Sequence, residues 1–195
     1  MNAQDHKFPD SIQGEFITLA KIQLADAEYI YNLRISESAK YLNCPAGYCI
    51  DMQKKWQESR TYNEVNYLIL NHKVDEVGMV SIYDCDWTNK VSNVGRLLLE
   101  DQYVHKRTPY GLEALLLTYD YVFNKMEFRK IAGTINAMNE KVYSLQKYLG
   151  MNDEGYFKKH VLLNGEPQDL YYLSLFAEEF PFYSDRILSM LEKFK

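Results

Sequence analysis

Residues 104–123 read VHKRTPYGLEALLLTYDYVF: two cations and a Pro-Tyr-Gly turn stand directly ahead of a long apolar helix pattern. A turn that delivers the chain into a helix N-terminus is an anion site, because the first amides of the helix lack intrahelical partners and the macrodipole favours negative charge there. Lys106, Arg107 and the Thr108 hydroxyl add donors suited to phosphate oxygens. The same residues also fit a solvated loop carrying two ordinary surface cations. On this stretch alone both readings stand.

The apolar spacing of Leu112, Leu115, Leu116, Tyr119, Val122 and Phe123 predicts a helix from about Tyr110 to Asn124. Just before it, NVGRLLLE reads as a strand. Working outward, EFITLAKI is a first strand, and LADAEYIYNLR is a helix starting near Asp26. DMQKKWQESR is a second helix with Asp51 as its cap. VNYLILNH and EVGMVSIYD form a strand pair. After the long helix, KIAGTINAM reads as a strand and NEKVYSLQKYLG as a helix stopped by Gly150. HVLLNGEPQDLYYLSLF reads as two strands around the Asn164-Gly165 turn. This order predicts an α+β domain on one mixed sheet flanked by helices. A polar tail is expected over 1–13, the domain over 14–178, and a short helical extension over 179–195.

At 195 residues the chain is long enough for one domain with a real core. A net charge of -5 argues against a nucleic-acid partner, which asks for a basic face. No apolar run is long enough to cross a bilayer, so no membrane partner is expected. The polar N-terminus lacks a secretion signal's apolar core. Three cysteines (Cys44, Cys49 and Cys85) without zinc-type spacing point to free thiols in a reducing cytoplasm. His6, His72, His105 and His160 are scattered, so no metal is expected.

The order NVGRLLLED, VHKRTPYGLEALLLTYDYVF, FRKIAGTINAMNEKVYSLQKYLGM resembles the GNAT acetyltransferase superfamily, and within it the Rim-type, spermidine and nucleotide-amino-sugar acetyltransferases. The resemblance spans roughly Glu15 to Phe176. It implies acetyl-CoA as co-substrate and a small-molecule amine as acceptor. It implies a splayed strand at Leu97-Leu98-Leu99, whose amides hold the pantetheine and thioester. It also implies a pyrophosphate loop at Lys106-Arg107-Thr108-Pro109-Tyr110-Gly111 and a cofactor contact at Asn139. Pro109 replaces the loop's middle glycine and has no amide hydrogen to give.

Relatives carry a tyrosine acid where Gln146 stands, and a Glu where Asn93 stands. Tyr143, one turn after Asn139, is the substitute acid candidate; Asp86 in DCDW, with Asp84 beside it, is the candidate base, and Glu100, Asp101 or a water chain stay open for that role. For Asp86, a turn stabilised by Asp side chains is the alternative. Leu33, Arg34, Leu42, Asn43, Gln53 and Trp56 resemble a pattern of amino-sugar acetyltransferases, as does the DCDWTNK segment. Arg34, Trp56, Trp87 and Asn93 are therefore the candidate substrate contacts, since arginine and tryptophan can pair with and stack on a nucleotide diphosphate. Core packing of Trp56 and carboxylate pairing of Arg34 are the alternatives.

The expected function is acetyl-CoA-dependent N-acetylation of a primary amine, with a nucleotide-linked amino sugar favoured. Protein N-terminal acetylation, polyamine acetylation and a non-catalytic CoA-binding sensor or assembly domain are the rivals. Homodimerisation through an edge strand or the C-terminal helix is compatible with the pattern.

Overall fold

Strand β3 (Val65–Asn71) is buried along its first five residues and organises the sheet. The computed structural model describes residues 8–42, 44, 45 and 47–195. His6, Asn43 and most of the expected N-terminal tail lie outside the described residues. The neighbours of β3 are β2 (Ile17–Lys21) and β4 (Glu76–Asp86), both antiparallel. β1 (Ser11–Gln13) lies outside β2, and β5 (Val91–Leu99) lies beyond β4. β6 (Lys130–Asn136) runs parallel to β5. The hairpin of β7 (Asn152–Leu163) and β8 (Glu166–Phe176) completes an eight-stranded sheet in the order β1-β2-β3-β4-β5-β6-β8-β7.

Alternation along the strands builds one core on each face. Leu68, Met79 and Leu98 pack with Ile22 and with Ile30 and Leu33 of α1 (Ala27–Arg34) on one face. Tyr67, Ile69, Val80, Ile82 and Val94 pack on the other against Leu115 and Tyr119 of α4 (Tyr110–Asp120). A π-helical turn, Tyr121–Lys125, prolongs α4 and brings Val122 and Phe123 into that core. α2 (Ile50–Glu58) starts one residue before Asp51, with Cys49 at the cap position, so Asp51 sits in the first turn instead of capping it. α3 (Asp101–His105) and α5 (Glu140–Leu149) complete the elements around the site.

The first and last elements among the described residues are parts of the core. Phe8 is buried beside Trp87 and Tyr121, and Ser11–Gln13 pairs with β2. α6 (Phe180–Leu191) buries Phe180, Tyr183, Ile187 and Leu191, one helical stripe, and stacks the Tyr183 ring on Tyr119 at 4.8 Å. Among the described residues no helix is long and apolar enough to cross a membrane. No cluster of three or more His, Cys, Asp or Glu among them is placed to hold a metal ion.

Several carboxylates are held below their ordinary range. The Asn89 amide does this to Asp86, the Ser38 hydroxyl to Asp101, Lys130 to Glu154 and the Tyr156 hydroxyl to Asp169. Their folded values lie below their unfolded ones, so their stabilisation is complete only above about pH 5 and is lost as pH falls through the folded values. A melting-temperature series from pH 7 to 2.5 is expected to fall steeply only below about pH 4. A loss centred near pH 6 would contradict that assignment.

Candidate active site

β5 and β6 are paired at only three positions, Val91↔Lys130, Ser92↔Ile131 and Asn93↔Ala132. Beyond these they part, yet each stays held on its outer edge. β5 pairs with β4 as far as Leu99↔Gly78, and β6 pairs with β8 as far as Asn136↔Leu170. The cause is a bulge: Met79 faces Leu98 and Ser81 faces Gly95, so Arg96 and Leu97 together oppose Val80. Such an extra residue bends a strand away from its neighbour. Arg96 takes the left-handed φ of 50° that the bend requires. The gap is a cleft of about 290 Å³ between Val94–Leu97 and Gly133–Asn136, floored by Leu115 and Tyr119 of α4.

The cation-bearing loop lies between β5 and α4. The α4 amides of Tyr110, Gly111 and Leu112 precede the first helical bond, from Glu113 N–H to the Pro109 carbonyl. Pro109 occupies the cap position, so its missing N–H removes no donor from the helix itself. Lys106 and Arg107 are exposed, and Arg107 has a φ of 51°. The Thr108 hydroxyl stands 3.4 Å from the Tyr103 carbonyl, a long contact that leaves its proton free to turn toward another acceptor. A β-carbon on Gly111 would meet Leu99 Cδ1 at 3.4 Å and Leu97 Cδ2 at 3.8 Å. Leu97 and Leu99 thus connect the cleft to the helix N-terminus. Leu98 points to the opposite face of the sheet, into the core with Met79.

Asn139 caps α5 by accepting from the Val142 amide at 3.4 Å. Gly150 ends the helix at a φ of 119°, where its N–H returns to the Gln146 carbonyl. Asn139, Val142 and Gln146 are spaced three and four apart, on the stripe that lines the cleft. Tyr143 is one residue off that stripe. Its ring stacks on Tyr171 at 4.1 Å and its hydroxyl donates to Asp153 at 3.2 Å. Burial and the Asp153 charge push its phenol above the ordinary value. The structure therefore does not bring the expected acid to the cleft, and Gln146 occupies the position facing it.

A model of the acetyltransferase (GNAT) domain matches residues 17–152. The chain belongs to the GNAT acetyltransferase family. It is 23% identical over 170 residues to the SPbeta prophage-derived uncharacterized N-acetyltransferase YokL of Bacillus subtilis (strain 168), covering 86% of this chain and 93% of that protein. The fold is shared with a GCN5-related N-acetyltransferase from Brucella melitensis at 17% identity and a TM-score of 0.76, covering 92% of this chain and 84% of the other. It is also shared with the spermidine N-acetyltransferase of Vibrio cholerae, solved with CoA and spermine, at 16% identity and a TM-score of 0.77, over 86% and 99% of the two chains. GNAT enzymes use acetyl-CoA as acetyl donor. The splayed strands and the α4 amides that precede the first helical bond fit that co-substrate.

On the β5 wall of this cleft, Arg96 lies 4.1 Å over the Tyr83 ring and 5.5 Å from the Trp56 ring, and it pairs with Glu64 at 3.2 Å. Arg34 lies 5.9 Å from the other neighbour of that array, the Trp56 ring, and 5.6 Å from Tyr48. Arg34 and Trp56 are thus gathered behind Arg96, which itself lines the cleft. Three expected residues are elsewhere. Asp86 accepts from the Thr88 and Asn89 amides and from the Asn89 side chain, which makes it the brace of the β4–β5 turn. Trp87 packs edge-on against Phe128 at 5.1 Å, inside the core formed with Phe8. Asn93 stands at the apex of the splay but gives its amide to Asp84 at 3.0 Å. Cys85 is buried and its thiol is pushed up to about 12 by that burial, which makes it a packing residue. Sequence reasoning missed Arg96 and Tyr83. The single cation inside the apolar run VGRLLL was the signal available.

Proposed function

We propose that this chain acetylates a low-pKa primary amine carried on an anionic small molecule, and that nucleotide-linked amino sugars are its acceptor class. One observation carries the choice. Among the described residues lining the cleft there is no Asp, Glu or His, and the one charged side chain is Arg96. Neutralising an amine of pKa about 10.4 at pH 7 costs roughly 4.6 kcal/mol, against about 1.4 for an amine near 8. A cleft without a carboxylate or imidazole base suits the second. A polycation such as spermidine also needs carboxylates to bind, and Glu64, the carboxylate beside the cleft's arginine, is already paired with Arg96.

Acetyl-CoA, when bound, supplies the thioester carbonyl that a neutral amine attacks. The protein's part is to hold and orient. The Tyr110, Gly111 and Leu112 amides with Lys106 and Arg107 are assigned to the pyrophosphate, and the backbone of Leu97 with its neighbours Leu98 and Leu99 to the pantetheine arm. Arg96, stacked between Tyr83 and Trp56, is assigned to the acceptor's anionic group, with Arg34 behind it. A planar guanidinium held on aromatic faces is suited to bidentate phosphate pairing.

The test is initial-rate kinetics with acetyl-CoA on three acceptors: a nucleotide-linked amino sugar, a peptide with a free N-terminus, and spermidine. Turnover is expected on the first. Arg96→Ala is expected to lower kcat/KM for it about 100-fold, the scale of losing a partly buried charged pair. CoA affinity should change little. Preference for spermidine would refute the acceptor assignment, and binding of CoA with no turnover on any amine would favour the sensor or assembly reading.

A further inference from the structure

Gln146 of α5 lines the cleft, is 8% exposed, and is held from a direction that the family match does not cover. The Tyr183 hydroxyl, on α6 beyond the matched residues 17–152, donates to Gln146 Oε1 at 3.0 Å. Tyr183 is fully buried, and a buried phenol proton requires an acceptor. With Oε1 accepting from Tyr183, the Nε2–H₂ of the Gln146 amide lies on the other side. Nε2 has no partner among the described residues, and the stripe Asn139, Val142, Gln146 lines the cleft. The Tyr183 ring is itself fixed by stacking on Tyr119 at 4.8 Å.

We propose that Gln146 is a hydrogen-bond donor to the CoA sulphur, with Tyr183 as the residue that positions it. The inference rests on the acetyl-CoA reading above. In acetyl transfer the C–N bond forms as the C–S bond breaks, the bonding pair stays on sulphur, and the proton lost by the amine leaves to solvent. Gln146 neither gains nor loses a proton. It stabilises the charge that collects on sulphur, which is electrostatic catalysis by a preoriented dipole. The other groups lining the cleft do not substitute for it. Tyr119 gives its proton to Met151 Sδ at 3.7 Å. Arg96 is paired with Glu64 and packed on Tyr83, and Tyr83 and Tyr41 are the remaining titratable groups lining the cleft.

A donor to sulphur must lower the pKa of the bound CoA thiol, whether or not any amine is present. The test measures that pKa from the ultraviolet absorbance of the thiolate in the protein–CoA complex, with titration calorimetry of CoA and of desulfo-CoA alongside. In the wild type the bound thiol is expected about one unit below that of free CoA. Gln146→Leu should return it to the free value and weaken CoA up to about tenfold at a pH above the free thiol's pKa, with desulfo-CoA affinity unchanged. Tyr183→Phe keeps the stacked ring, and by freeing the amide to rotate it should shift the thiol about half as far. A bound-thiol pKa identical in wild type and Gln146→Leu would overturn the donor role. An unchanged value in Tyr183→Phe would overturn the positioning role, and it remains readable if Gln146→Leu fails to fold. Wild-type protein that binds neither ligand would overturn the acetyl-CoA reading itself, and this inference with it.

Discussion

Replacing Glu113 with alanine is expected to lower the unfolding free energy by about 3 kcal/mol, or the melting temperature by about 9 °C for a chain of this size. Glu113 is 4% exposed and lies in the first turn of α4. Its Oε1 accepts from the Glu15 amide at 2.6 Å, and its Oε2 from the Phe16 and Ile17 amides at 2.8 Å each. Truncation leaves three backbone donors at the start of β2 without their acceptor, each costing about 1 kcal/mol or more where water cannot replace it. Gly14 is required by the same contact, because a β-carbon there would stand 2.7 Å from the Glu113 carboxyl carbon. The bond network fastens α4 to the sheet, and so fixes the helix N-terminus against β5. Urea unfolding measures the effect. A loss under about 1 kcal/mol would show that the carboxylate is dispensable.

Replacing Gly111 with aspartate is expected to weaken acetyl-CoA binding at least 100-fold while leaving the melting temperature unchanged or raised. The two effects separate because they have different causes. A carboxylate in the first turn of a helix is favourable by about 0.3–1 kcal/mol. The new β-carbon meets only the tips of Leu99 and Leu97, which are flexible enough to give. A pyrophosphate on the same amides would face that carboxylate at close range. Two like charges 4 Å apart repel by about 4 kcal/mol at an effective dielectric of 20, and screening still leaves about 100-fold. Calorimetry and a thermal melt on one preparation read both quantities. Unchanged affinity would mean that no anion sits on these amides.

Much of the frame was legible because long apolar periods have few interpretations. LEALLLTYDYVF gives a buried helix, VNYLILNH a central strand, and Asn139 with Gly150 the two ends of α5. The elements missed are short or polar. β1 is the tripeptide SIQ, α3 is DQYVH, and β7 begins in the exposed stretch from Asn152, where no apolar face marks a strand.

The site was less legible because its geometry comes from an irregularity. Counting alternate faces back from Leu99 fails at the bulge, where Arg96 and Leu97 share one partner position, so the cation that lines the cleft could not be assigned to it. Tyr143 was taken for the acid because tyrosine chemistry suited the role, yet Asn139, Val142 and Gln146 form the inward stripe. Glu113 carries no local signal of its role, since its partners lie 96 to 98 residues away in sequence. Tyr183, in a segment read as an appended helix, reaches Gln146 across 37 residues.

The most direct measurement is isothermal titration of the wild-type protein with acetyl-CoA, beside the Lys106→Ala/Arg107→Ala double variant. One molecule bound per chain, and binding about tenfold weaker in the double variant, is the result expected if these exposed cations pair with the pyrophosphate. No binding by the wild type, or equal binding by both proteins, would contradict the assignment of residues 106–111 as the cofactor's phosphate site.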